Sequence, residues 1–224
     1  MSSICLTSHS MALGTKVDGR KEAGDRTRRR LLEATRALLA DRDEDAVALR
    51  DITEAAGANV AAVSYHYGSK EALCRCAIEE AVGAVLAAQT AELEKLDANP
   101  QVDDIAAALA RPLVAVLSGP PGPDRDRLRI SARVATDPPP VLRDSIAAMR
   151  ARAHGVLLPR LRRAIPGTPD EELSFRASSV ASIIHCMAAG SVDFGRVESD
   201  LERMLVPVIA GALSGGPRAS SLAA

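Results

Sequence analysis

The chain has 224 residues, a formal net charge of −1 and 47% apolar residues, with no Trp, two Tyr and two Phe. This length can bury one large core or two small ones. The Ala-, Leu- and Arg-rich composition favours helices around an aliphatic interior, and the charge balance excludes a uniform polycation.

The basic character is local. Residues 16–36 hold eight basic side chains (Lys16, Arg20, Lys21, Arg26, Arg28, Arg29, Arg30, Arg36) against four acids. This asymmetry suits either a nucleic-acid contact or a solvated tail. Cys5, Cys74, Cys76 and Cys186 have neither a disulfide-framework nor a zinc-site spacing, and read as reduced thiols of a cytoplasmic protein. Residues 1–14 lack the basic and apolar regions of a signal peptide. No apolar run reaches the length of a membrane span. No cofactor or metal is expected.

In chain order, residues 1–24 are rich in Ser, Gly and charge and read as a disordered arm, part of which could face DNA. The first helix is expected over 25–41. Leu31, Leu32, Thr35, Leu38 and Leu39 share one face, and four arginines sit in its opening turns, where they oppose the helix dipole. Residues 42–47 read as a polar turn. A short second helix over 49–56, with Ile52 and Ala55 inward, stops at Gly57, which tolerates positive φ. Asn59 can cap a short third helix over 60–65. Ser69 can cap a fourth over 70–96. Further helices are expected over 103–117, 124–136, from the prolines at 138–140 to 165 with a kink at Pro159, over 170–191 and over 199–213. Residues 215–224 read as a disordered tail. No strand pattern or repeat is present, so the fold class is all-α with about nine helices.

The stretch Leu-Arg-Asp-Ile-Thr-Glu-Ala-Ala-Gly-Ala-Asn-Val over 49–60 has the grammar of a helix-turn-helix. Small residues close the first helix, a glycine makes the turn, and Val60 and Val63 are placed to anchor a second helix of small and polar side chains. Such a helix can enter a major groove about 12 Å wide. An ordinary helical hairpin would read the same way. Base edges would meet Asn59, Val60, Ala61, Ala62 and Ser64, with Asn59 equally explained as a cap. Arg50 is a candidate phosphate or base contact, and Arg26, Thr27 and Arg28 can hold flanking phosphates. Lys70, the free N–H groups of the fourth helix and the Tyr65 hydroxyl together make a sensible phosphate clamp.

The continuation Val-Ser-Tyr-His-Tyr-Gly-Ser-Lys-Glu-Ala-Leu over 63–73, with the Arg-Arg-Arg-Leu-Leu-Glu-Ala-Thr-Arg-Ala-Leu-Leu-Ala run before it, resembles the TetR family of bacterial transcription regulators. The resemblance covers about residues 25–73 at motif level. It implies a DNA-binding head over 25–70 and a helical effector-binding and dimerisation domain over 71–214. It also implies backbone contacts from Lys70, Tyr65 and His66, with His66 equally readable as a packed imidazole. Tyr67 takes the family's usual Phe position and reads as core. Two positions depart from the pattern: Ala48 replaces a capping Thr or Ser, and Ser64 replaces a tyrosine.

The resemblance further implies a homodimer, a palindromic operator and a small-molecule effector whose binding moves the fourth helix and releases DNA. Uncharged apolar residues over 177–192 and in the last helix supply the expected dimer face: Ile183, Ile184, Met187, Met204, Leu205, Val208 and Ile209. Arg133, His154, Ser182 and His185 are polar candidates for lining the effector pocket, each equally able to be structural. An activator or effector-independent regulator of the same fold is an alternative. An all-helical enzyme is a more distant one, since no nucleophile–base pair, metal cluster or phosphate loop supports it. A protein that binds DNA without sequence preference is disfavoured by the capped recognition helix.

Overall fold

A computed structural model describes residues 11–188 and 200–215. Its helices are α1 (Met11–Asp41), α2 (Leu49–Ala55), α3 (Val60–Tyr67), α4 (Lys70–Glu94), α5 (Val102–Ser118), α6 (Pro123–Thr136), α7 (Arg143–Ala164), α8 (Asp170–Ala188) and α9 (Leu201–Ser214), with short 3₁₀ turns at Glu44–Ala46 and Pro140–Leu142. No strand occurs among the described residues. They divide into two compact units, the first ending at Ala77 and the second beginning at Ile78.

Most helix bounds follow the sequence pattern, with informative exceptions. The first helix starts at Met11 rather than at residue 25, so the described part of the expected disordered arm is helical. Its alanines, lysines and Leu13 carry helix propensity through Gly14, Gly19 and Gly24, each of which costs about 1 kcal/mol relative to Ala. The expectations for residues 1–10, 189–199 and 216–224 lie outside the described residues. The third helix ends at Tyr67 instead of 65, because Gly68, at φ 84°, is the residue that stops it. α7 runs continuously through Pro159, and α5 and α9 contain Pro112 and Pro207 in their interiors.

The first unit packs α1, α2 and α3 against one another. Leu31, Leu39, Val47, Ile52, Ala56, Val63, Leu73 and Cys74 form its buried interior. Thr35 is fully buried, and its hydroxyl donates to the Leu31 carbonyl at 2.7 Å, which satisfies that donor. Arg36 is also buried, which removes it from the basic surface. Ala56 faces inward, whereas Ala55, expected inward, is exposed. The shift follows from α2 stopping at Ala55, with Gly57 in the left-handed region at φ 56°.

The second unit has an aliphatic core. Ile105, Leu109 and Leu113 of α5 pack with Leu173, Val180 and Ile184 of α8 and with Leu205, Ile209 and Leu213 of α9. At the Pro/Gly loop, the Arg125 guanidinium donates to the Leu117 and Gly119 carbonyls at 2.6 and 2.9 Å, satisfying groups that the end of α5 leaves open. Arg127 of α6 binds Glu80 of α4 through two N–H groups at 2.7 and 2.9 Å, and Asp124 at 2.6 Å. No described helix is long and apolar enough to cross a membrane.

Candidate nucleic-acid interface

The site is α3 and what surrounds it in the first unit. Asn59 precedes the helix with extended backbone, and its side-chain oxygen accepts the Ala62 N–H at 2.8 Å. The cap satisfies one of the four N–H groups that a helix start leaves without partners. By contrast α2 begins at Ala48 with no side-chain cap, as its sequence requires.

The faces of α3 separate cleanly. Val63 is 1% exposed and is the sole fully buried side chain of the helix, whereas Val60, expected as a second anchor, is 47% exposed. At 100° per residue, Val60, Ser64, Ala61 and Tyr65 fall on one continuous arc, and all four are exposed. Ala62 is half-buried on the opposite arc with Val63, His66 and Tyr67, so it leaves the open face.

Tyr67 fixes the tilt of α3 against α1. Its hydroxyl donates to the Arg28 carbonyl at 2.8 Å, and the Arg28 guanidinium carbon lies 5.4 Å from its ring centre. Partial burial pushes the phenol pKa up, so the hydroxyl stays a donor. His66 lies beside Gly24 of α1, where an added Cβ would stand 3.8 Å from its ring. Its ring meets Tyr65 edge-on at 4.9 Å. Tyr65 itself is 84% exposed.

Around this face the chain is basic. Arg26, Arg28, Arg29 and Arg30 of α1 and Arg50 of α2 are exposed, and no acid occurs in α3. The Thr27 hydroxyl donates to the Ala23 carbonyl at 3.1 Å, leaving its oxygen able only to accept. Lys70 is placed differently from a free clamp. Its ammonium donates to the Glu44 and Val47 carbonyls at 3.2 and 3.0 Å, tying the start of α4 to the 3₁₀ turn. Two of its three donors are therefore engaged, and one remains. The composition of residues 42–47 does not point to this role. Ser69 accepts the Ala72 N–H at 3.1 Å and caps α4.

Comparison with known proteins identifies this architecture. Residues 31–75 match the family model of the bacterial regulatory proteins of the tetR family, and residues 107–212 match that of the tetracyclin repressor-like C-terminal domain. The chain belongs to the TetR family. No curated protein matches the sequence. Among solved structures, the TetR-family regulator PfmR from Thermus thermophilus is 21% identical, with a TM-score of 0.61 over 84% of this chain and 99% of its own. A putative regulator from Saccharomonospora viridis, in complex with choline, is 22% identical, with a TM-score of 0.61 over 81% and 94%. A cysteine mutant of the TetR-family regulator CifR, complexed with 26-bp operator DNA, is 23% identical, with a TM-score of 0.59 over 84% and 95%.

The chain is thus a TetR-family transcriptional regulator with a helix-turn-helix DNA-binding unit, and its family and structural neighbours are regulators, not enzymes. The remaining expected site residues lie in the second unit, where their placement is mixed. An open cleft of about 420 Å³ runs between α4 and α7, walled by Leu86, Met149 and Val156, with Arg152 and Glu94 its sole charged lining. None of the four expected pocket residues lines it. Arg133 is exposed, Ser182 is exposed with its hydroxyl donating to the Ser178 carbonyl at 3.0 Å, and His154 and His185 are half-buried. Burial, with Arg150 nearby, holds the His185 imidazole below its ordinary pKa.

The expected dimer set also divides. Ile184, Met187, Leu205 and Ile209 are buried in the protomer's own core, and Ile183 is half-buried against it. Met204 and Val208 are more than half exposed, and so is Phe175 (72%), which the sequence pattern does not single out. Phe175, Ser178, Ser182 and Cys186 recur at helical spacing as an open stripe along α8. Periodicity locates apolar stripes but does not distinguish an internal face from an external one.

Proposed function

We propose that this TetR-family regulator is a homodimeric repressor that binds a palindromic operator through α3 and is released by a small-molecule effector. The observation that carries the reading is the open arc of Val60, Ala61, Ser64 and Tyr65, held outward by the buried Val63 and by the Tyr67 bond to α1. Small side chains there let the helix approach base edges, and the valine and alanine methyls suit thymine. Arg26, Thr27, Arg28, Arg50, His66 and the remaining Lys70 donor supply phosphate contacts, which fix register without reading sequence. Asn59 keeps its amide N–H groups for an adenine while its oxygen caps the helix. The complex of CifR with operator DNA supports DNA as partner.

In this reading residues 25–70 are the DNA-binding domain and 71–214 the effector and dimerisation domain of a cytoplasmic protein. The dimer forms on Phe175, Met204 and Val208 with the small residues of the α8 stripe. The α4–α7 cleft takes the effector, and α4 carries the response along its own length, since one helix starts at Lys70 and ends beside the cleft at Glu94. The S. viridis regulator, crystallised with choline, supports a ligand-responsive reading.

The test is selection of bound sequences from randomised duplex DNA, followed by footprinting. The reading predicts two inverted half-sites about one helical turn apart and a dimer in sedimentation. Uniform protection of unrelated DNA, or a monomer at micromolar concentration, contradicts it.

A further inference from the structure

The α4–α7 cleft has a directional chemistry. Gly83 and Met149 mark one end, where a Cβ on the glycine would stand 3.7 Å from the methionine sulfur. From that contact the lining extends only forward along each helix, to Glu94 on α4 and to Val156 on α7. The α4 wall spans about 16 Å at ~1.5 Å per residue. Its surface is apolar apart from Thr90, Arg152 and Glu94. The Thr90 hydroxyl donates to the Leu86 carbonyl at 2.8 Å, so its proton serves its own helix.

Arg152 is then the cleft's one strong donor. It is exposed at the cleft, one turn beyond Met149 on α7, and has no ion pair among the described residues. Glu94 is the last residue of α4, eleven residues beyond Gly83, and it forms no salt bridge with Arg152 among the described residues. The surroundings of Arg152 favour an anion: α7 carries six arginines against one acid, Asp144. A guanidinium binds a carboxylate through two parallel N–H groups, and its alkyl stem packs on apolar surface. A cation paired with Glu94 would instead place its apolar body over an uncompensated Arg152. A second anionic group at the far end would meet Glu94.

Building on the effector reading above, we propose that this cleft takes an elongated apolar molecule ending in a single carboxylate, with Arg152 holding that carboxylate and Leu86, Met149 and Val156 holding the chain.

The experiment is calorimetric titration of the full-length protein with decanoate, 1-decanol and decyltrimethylammonium. It compares the wild type with Arg152→Gln, Arg152→Lys and the cleft-filling Ala153→Phe, each verified by circular dichroism. Decanoate is expected to bind once per chain, to weaken at least tenfold in Arg152→Gln and to recover in part in Arg152→Lys. Decanol binding should be indifferent to Arg152→Gln, and Ala153→Phe should abolish binding of both. Decanoate binding that Arg152→Gln leaves unchanged, absence of decanoate binding, or equal binding of decyltrimethylammonium overturns the proposal. Operator release is scored separately. Decanoate that binds as expected but leaves operator occupied upholds the carboxylate site and removes its effector role. A different molecule that releases operator from wild type and Arg152→Gln alike, where decanoate does not bind, upholds the effector reading and overturns the carboxylate site.

Discussion

Val63 and Val60 lie one turn apart on α3 and have the same side chain, yet one is buried and the other is about half exposed. Val63→Ala deletes two buried methyl groups. At ~0.8 kcal/mol per buried carbon the transfer loss is about 1.6 kcal/mol, and the residual cavity adds up to about 1 kcal/mol. The total is about 1.6–2.6 kcal/mol from the first unit, or roughly a fifteen- to seventyfold rise in its opening equilibrium, since every ~1.4 kcal/mol is a factor of ten. Val60→Ala removes the same atoms from a side chain that is 47% exposed, so its stability cost should stay within about 0.5 kcal/mol. Native-state amide exchange resolves the two, because it reports the opening of α3 directly. Val63→Ala should accelerate exchange across α3 by the factor above and leave α5 and α9 unchanged. Val60→Ala should leave exchange unchanged and weaken operator binding. Equal acceleration by the two substitutions, or a Val60→Ala loss above about 1 kcal/mol, would refute the assignment of faces.

Lys70→Ala should do two things: lower the stability of the first unit by about 1.5–3 kcal/mol, the usual worth of charge-assisted hydrogen bonds, and flatten the salt dependence of DNA binding by about one counterion. Denaturation and salt-titrated binding separate them, and a changed base preference would place Lys70 at a base edge. Asn59→Ala should cost about 0.5–2 kcal/mol through loss of the cap, measured by urea unfolding followed at helical ellipticity; no loss would mean that the Ala62 N–H finds another acceptor. His185 titrates lower in the fold than its ordinary 6.5, chiefly because of burial and then Arg150. The unfolded chain therefore takes up the proton first, and stability falls as pH drops from about 6.5 through the depressed folded value. His185→Gln should flatten that part of the melting-temperature profile between about pH 7 and 5, and an unchanged slope would place the proton uptake elsewhere.

The helix order was legible because glycine, proline and capping residues punctuate the chain. Gly57, Asn59 and Ser69 stand where a turn and two caps are needed, and the structure uses them so. What escaped was the direction in which side chains point. Arg36 counts as a basic residue in any window, yet α1 turns it inward. Lys70 looks like a free cation at a helix start, until folding brings the Glu44 and Val47 carbonyls to it from more than twenty residues away. Ile184 and Ile209 share helices with Phe175 and Val208, and only the packing of α5, α8 and α9 decides which are internal. The cleft escaped for a similar reason, since its walls are alanine, glycine and aliphatic side chains from two helices distant in sequence.

In the proposed function the open arc of α3 reads bases. The direct measurement is the base-preference profile, obtained from randomised duplex DNA, of wild type and Ala61→Arg. Arginine pairs with the O6 and N7 edge of guanine. A new guanine preference is expected at one position, repeated symmetrically in both half-sites, with the rest of the profile unchanged. An identical profile for the two proteins, with affinity lost uniformly across sequences, would contradict it.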